Sequence, residues 1–132
     1  MKNKINLTRG GILKADSDLS TAKKLIEVDG PFDTASFHVQ QAIEKMLKAF
    51  LVFHEQPIPK IHDLDELQRR CLQICHLPTL EKIDLTEITD YAVEMRYDLE
   101  FWPEAMDVSE ALGIAEKVHE IVLAALPEKC HP

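Results

Sequence analysis

Four polar residues, His38, Gln41, Lys45 and Lys48, recur at steps of three, four and three through the otherwise apolar segment Asp33–Glu55. In a helix that spacing lines them along one side. Imidazole, amide and ammonium groups in such a row can all donate hydrogen bonds to an anion such as a phosphate. A solvated helix face, a polar cleft or a subunit contact would carry the same stripe. Further along, His62 could grip a phosphate or a base. Its neighbour Asp63 equally suits an N-cap, with Glu66 three residues on in capping-box register, so the pair also reads as a helix start. Arg96 offers a bidentate fork for phosphate. The competing reading is a salt bridge from Arg96 to Glu44, Glu94 or Asp98. The ligand site expected from these residues is His38, Gln41, Lys45, His62 and Arg96, helped by the free N–H groups at the start of the helix after Asp63. Asp63 and Glu44 bring negative charge into the same region.

Other chemistries find little footing. Cys71 and Cys75 share a helical face beside His76, but as small apolar residues they fit a core better than a metal site. The only further ligands are the tail pair Cys130 and His131. With three cysteines, an odd number, no disulfide framework is expected. Gly10-Gly11 has no preceding strand and no following Gly-Lys-Ser/Thr, so it is not a phosphate loop. No Ser-His-Asp order or Cys-His nucleophile can be assigned. His54, His119 and His131 are expected at the surface. We assign no catalytic residue, no metal and no cofactor.

The elements that would position these groups read as helices throughout. The first is expected to begin after Gly10-Gly11 and run to about Val28, with Ile12, Ala15, Leu19, Ala22 and Ile26 inward. Asp29-Gly30-Pro31 ends it. The second, about Phe32 to His54, carries Val39, Ala42, Ile43, Met46, Phe50 and Phe53, widened by Leu47 and Leu51. So broad an apolar surface belongs at the centre of a bundle. Pro57 and Pro59 force an extended loop. The third helix follows the Asp63 cap, with Leu64, Leu67, Cys71, Ile74 and Cys75 inward, and stops at His76-Leu77-Pro78. After a connection over 79–85, the fourth spans about Thr86 to Tyr97. The fifth has Asp107 as its N-cap, Glu110 in capping-box register, and Ala111, Ala115, Val118, Val122 and Ala125 inward, ending near Leu126. No alternating strand pattern occurs. The fold class is all-α, an antiparallel bundle of about five helices in a single domain over residues 1–132.

Composition narrows the function. Hydrophobic residues make up 45% and charged residues 29%, an ordinary globular balance. Without a membrane-spanning run or a secretory leader, a cytoplasmic protein is expected. The net charge is −8. Nucleic-acid affinity rests on phosphates neutralised by Lys and Arg, so a broad RNA surface is disfavoured. Lys45, Lys48 and Arg96 remain as a local basic patch. A basic partner protein suits the chain better.

Several stretches together resemble the HEPN family (higher eukaryotes and prokaryotes nucleotide-binding). FHVQQAIEKMLKAFLVFHEQ resembles its central helix, IHDLDEL the start of its third helix, and TDYAVEMRY its segment ending in Arg-Tyr. SEALGIAEKVHEIV is similar to its last helix. The resemblance covers about residues 8–126 in order. It implies a HEPN-like helical bundle that binds nucleotide or serves as a toxin–antitoxin-type component with a small nucleotidyltransferase partner. The family's ribonucleases carry Arg, four to six residues, then His, where Arg stabilises phosphate charge and His moves a proton. Here Arg96 is followed at that distance by Phe101, Trp102 and Pro103. His76 lies in range of Arg69 and Arg70, but not at the family's position. The resemblance therefore points away from ribonuclease activity, with a displaced catalytic His as the alternative. It also implies a homodimer, for which Leu99, Phe101 and Trp102 are candidate anchors. Trp102 would alternatively cap the core.

Overall fold

The computed structural model describes residues 3–132, and among them every regular element is helical. The order is α1 (Lys4–Glu27), α2 (Phe32–Phe53), α3 (Leu64–Ile74), α4 (Pro78–Glu81), α5 (Thr86–Thr89), α6 (Tyr91–Tyr97) and α7 (Ala105–Ala124), closed by a 3₁₀ turn at Glu128–Cys130. The all-α class is as expected. The helix boundaries differ from the sequence reading in four places, each with a local cause.

The first helix begins well before Gly10-Gly11. Asn3 caps it, its side chain accepting from Asn6 N–H at 2.8 Å, and the Thr8 hydroxyl donates to Lys4 O at 2.6 Å. The glycines therefore lie inside α1. Gly11 has a packing reason: a Cβ there would stand 3.1 Å from Ala49 Cβ, so its absence lets α1 press against α2. The four residues between α1 and α2 make a tight reversal, giving an antiparallel hairpin. Asp29 and Gly30 turn it with φ of 65° and 112°, the second a conformation that suits glycine.

The expected fourth helix is broken at Asp90 into α5 and α6. Thr89 ends α5, and its side chain is committed to α3. Its hydroxyl oxygen accepts from Leu64 N–H at 2.8 Å and so caps the start of α3. The expected connection over 79–85 carries a helical turn, α4, entered at Pro78. The last helix starts at Glu104 rather than Asp107. Asp107 sits one turn inside and accepts from Glu104 N–H at 3.1 Å, half of a capping box.

α2 is the central element, touching α1, α3, α5, α6 and α7. Val39, Ala42, Ile43, Met46, Leu47, Phe50 and Leu51 are buried, as its periodicity required, and only Phe53 lies at the margin. Ile12, Ala15 and Ala22 of α1, Leu64, Leu67 and Cys71 of α3, and Ala111, Ala115, Val118 and Val122 of α7 close over it. Cys75 is the half-buried C-cap of α3 rather than a core residue of that helix. The tail is docked rather than loose. Cys130 is fully buried, Arg9 donates to Lys129 O, and His131 Nε2 donates to Leu123 O at 2.7 Å. No helix among the described residues is long and apolar enough to cross a membrane.

Candidate functional site

The apolar face of α2 is interrupted by two buried polar residues, Gln40 and Glu44, one helical turn apart. Burying a carboxylate is costly unless it is paired and hydrogen-bonded. Glu44 meets that requirement three ways: Lys48 Nζ lies 3.2 Å from Oε2, His62 Nδ1 lies 2.9 Å from Oε1, and Gln40 Nε2 donates to Oε1 at 3.2 Å. Gln40 Nε2 also reaches His62 O at 3.2 Å, and Gln41 donates to Gln40 Oε1 at 2.7 Å. The entry to α3 is thus fastened to α2 by a chain of polar contacts. Asp63 caps α3 directly, accepting from Asp65 and Glu66 N–H, so both halves of the His62-Asp63 pair have structural partners.

A second network joins α1 to α2. Asp18, also buried, holds His38 Nδ1 at 2.8 Å and Lys45 Nζ at 2.6 Å. No buried side-chain nitrogen or oxygen lacks a hydrogen-bond partner among the described residues. The polar stripe of α2 is therefore neither a plain solvated face nor an open basic patch. It is the donor side of two carboxylate-centred networks.

The five expected ligand residues lie on or against α2, but they divide among separate partners. His38 and Lys45 share Asp18, Gln41 joins Gln40, and His62 belongs to Glu44. Arg96 is exposed, with its guanidinium 5.0 Å from the Phe37 ring centroid. It has no carboxylate within 4 Å among the described residues, so the salt bridge expected to Glu44, Glu94 or Asp98 is not formed. Lys45 and Lys48 are each neutralised, which removes the basic patch expected with Arg96.

His54, His119 and His131, expected at the surface, are each half-buried. His119 Nε2 contacts Asp16 Oδ1 at 2.7 Å, bridging α7 to α1. His54 packs on Phe50 with its Nε2 3.9 Å from Cys75 Sγ, and burial and then the nearby Lys4 charge lower its pKa. Burial, with a further contribution from Cys75, pushes the Cys71 thiol up to about 12, so it is an inert core thiol. No group of three or more His, Cys, Asp or Glu among the described residues is arranged to hold a metal.

A cleft of about 460 Å³ lies away from the stripe, lined by Leu51, Gln56, Pro57, Arg69, Arg70, Gln73 and Ile74. Its two arginines are both held by Glu66, whose carboxyl they lower to about 2. Two smaller clefts flank α6 and are lined by carboxylates and aromatic rings. Sequence reasoning missed Asp18 and Gln40 altogether and weighed Glu44 as a partner for Arg96 and as negative charge near the expected site, not as a buried hub. The signal for Gln40 and Glu44 was their i, i+4 spacing amid Val39, Ile43 and Leu47. Nothing local marked Asp18.

Comparison with known families gives one result: the HEPN domain model matches residues 10–126, and the chain belongs to that family. Neither the curated proteins nor the solved structures give a match.

Proposed function

We propose that this HEPN domain works as a binding and interaction module, a toxin–antitoxin-type component paired with a small nucleotidyltransferase, rather than as a ribonuclease. The observation behind this reading is the fate of the donor side chains around α2. His38 and Lys45 are held by Asp18, His62 and Lys48 by Glu44, and Arg96 rests on Phe37. Catalysis of phosphodiester transfer needs a proton-transfer group and a cation aimed at the same phosphate. The segment after Arg96 supplies Phe101, Trp102 and Pro103 where the family's ribonucleases have His. A nucleotide phosphate at the stripe would have to compete with Asp18 and Glu44 for their donors.

One observation favours the alternative of a displaced catalytic His. The His62 side chain is 67% exposed, and its Nδ1 is held by the buried Glu44, the arrangement of a base oriented by a carboxylate. His62 lines neither of the clefts at Arg69-Arg70 and at α6–α7, and Arg96 rests on Phe37, so this reading ranks second.

The pairing is tested by reading the neighbouring genes for a small nucleotidyltransferase, co-expressing the chain with it and measuring the mass of the purified species. A stoichiometric complex is expected. Separate elution at micromolar concentration, or the lack of such a neighbour, overturns the pairing.

A further inference from the structure

The charge of this protein is unevenly placed. Residues 84–110 carry nine acidic side chains and a single basic one, Arg96. Elsewhere the carboxylates of Asp18, Glu44, Glu66 and Glu116 are matched by lysine or arginine. Within 84–110 no carboxylate lies within 4 Å of a cation among the described residues. The same stretch exposes Val93, Tyr97, Leu99, Trp102 and Met106, with Leu99 88% and Trp102 72% exposed. Large side chains so displayed together are unusual on a surface that meets only water.

The two features share one place. A cleft of about 300 Å³ between α6 and the start of α7 is lined by Glu94, Asp98, Glu100, Trp102 and Asp107. Beside it, a cleft of about 250 Å³ has Ile88, Ala111 and Ile114 among its walls and Asp84, Glu87 and Glu110 as its acids. Glu87, Tyr91 and Asp107 line both, and no basic side chain lines either. The local field is felt by its own groups. Burial, with Asp90, Asp98 and Glu87, raises the Glu94 carboxyl, and burial, with the surrounding carboxylates, pushes the Tyr91 phenol up to about 12.

We infer that the α6–α7 face is a docking surface for a basic, apolar segment of a partner protein, with Leu99 and Trp102 as apolar anchors and the two acidic clefts as seats for Lys or Arg side chains. The stems of such side chains suit the Tyr91 and Ile88 walls, and their charged heads suit the rims. Charge selects the occupant. Nucleic acid and anionic membranes are repelled here, and a second copy presenting this same face would set acids against acids. This inference deepens the interaction reading above by giving the partner's chemistry.

The test uses Trp102, the chain's single tryptophan, and a synthetic amphipathic peptide of lysine and leucine, with a glutamate–leucine peptide as control. The lysine peptide is expected to shift Trp102 emission to the blue saturably, weakening as salt rises. Glu94→Gln with Glu100→Gln, or Leu99→Ser, should weaken binding by about tenfold or more, a difference of about 1.4 kcal/mol. The charge-matched pair Glu27→Gln with Glu81→Gln should not. Urea melts of the variants should match the parent, since Leu99 and Glu100 are exposed and the half-buried Glu94 has no salt-bridge partner among the described residues. No shift at millimolar peptide, equal weakening by the control pair, or binding that survives Leu99→Ser overturns the inference. Trp102 already shielded in a micromolar dimer of the chain would assign the face to a second copy and overturn it too. A nucleotidyltransferase complex that forms but ignores these variants would refute the surface while leaving the module reading intact.

Discussion

His62 Nδ1 stands 2.9 Å from Glu44 Oε1, so an imidazole side chain that is 67% exposed is moored to a carboxylate side chain that is 7% exposed. Glu44 also carries Lys48 and Gln40, and Gln40 reaches back to His62 O. One buried residue of α2 thereby fixes both the side chain and the backbone at the entry to α3.

That arrangement predicts that Glu44→Leu destabilises the fold by about 2–4 kcal/mol, because Lys48 loses its counter-charge and His62 and Gln40 their hydrogen-bond partner. Asp18→Leu should cost a similar amount through His38 and Lys45. Urea melts measure both. A loss below about 0.5 kcal/mol would place these carboxylates in solvent rather than in the networks.

Phe50 is fully buried at the centre of α2. Phe50→Ala should cost about 3–5 kcal/mol, combining lost transfer energy with a cavity. A variant as stable as the parent in urea would contradict the central position of α2.

The three thiols should react unequally. Cys71 is fully buried with its pKa pushed up to about 12, and Cys130 is fully buried under the tail, while Cys75 is half-buried at the end of α3. A thiol reagent at pH 8 should modify Cys75 first and the other two only in denaturant. Fast labelling of two or three thiols in the native protein would contradict the packing of α3 and the tail.

Glu66 gives a pH signature. Hydrogen bonds from Arg69 and Arg70 hold its carboxyl at about 2, below its ordinary 4.5. A depressed folded pKa means the stabilisation is present above about 4.5 and lost as the pH falls towards 2. The Glu66 side chain is 29% exposed and its arginine partners lie near solvent, so the effect is confined to local helix stability. Carbon chemical shifts of the Glu66 carboxyl should titrate near 2, and Arg69→Gln with Arg70→Gln should return the midpoint towards 4.5. A midpoint near 4.5 in the parent protein would show that the arginines do not hold it.

The apolar architecture was legible because α2 repeats Val39, Ile43, Met46 and Phe50 at helical spacing. Such a pattern needs no knowledge of the neighbours. The site was legible only in part. His38 and Lys45 could be seen to share a side of α2, but their counter-charge is Asp18, on another helix and twenty residues before His38. Pairing over that distance is set by how α1 packs, which Gly11 and Ala49 decide. Glu44 was visible as a possible negative neighbour, but its burial was not, since its three partners come from two elements. The break at Asp90 was hidden because it coincides with a tertiary contact, Thr89 capping the start of α3.

The central claim is that the α2 stripe is an internal charge network rather than a reacting pair. It is tested most directly by incubating the purified protein with structured and unstructured RNAs at several pH values and following their integrity. The account predicts RNA left intact, with no difference among the parent, Arg96→Ala and His62→Ala. Cleavage by the parent that disappears in Arg96→Ala or His62→Ala would contradict it, and would make the lost residue part of a working nuclease site.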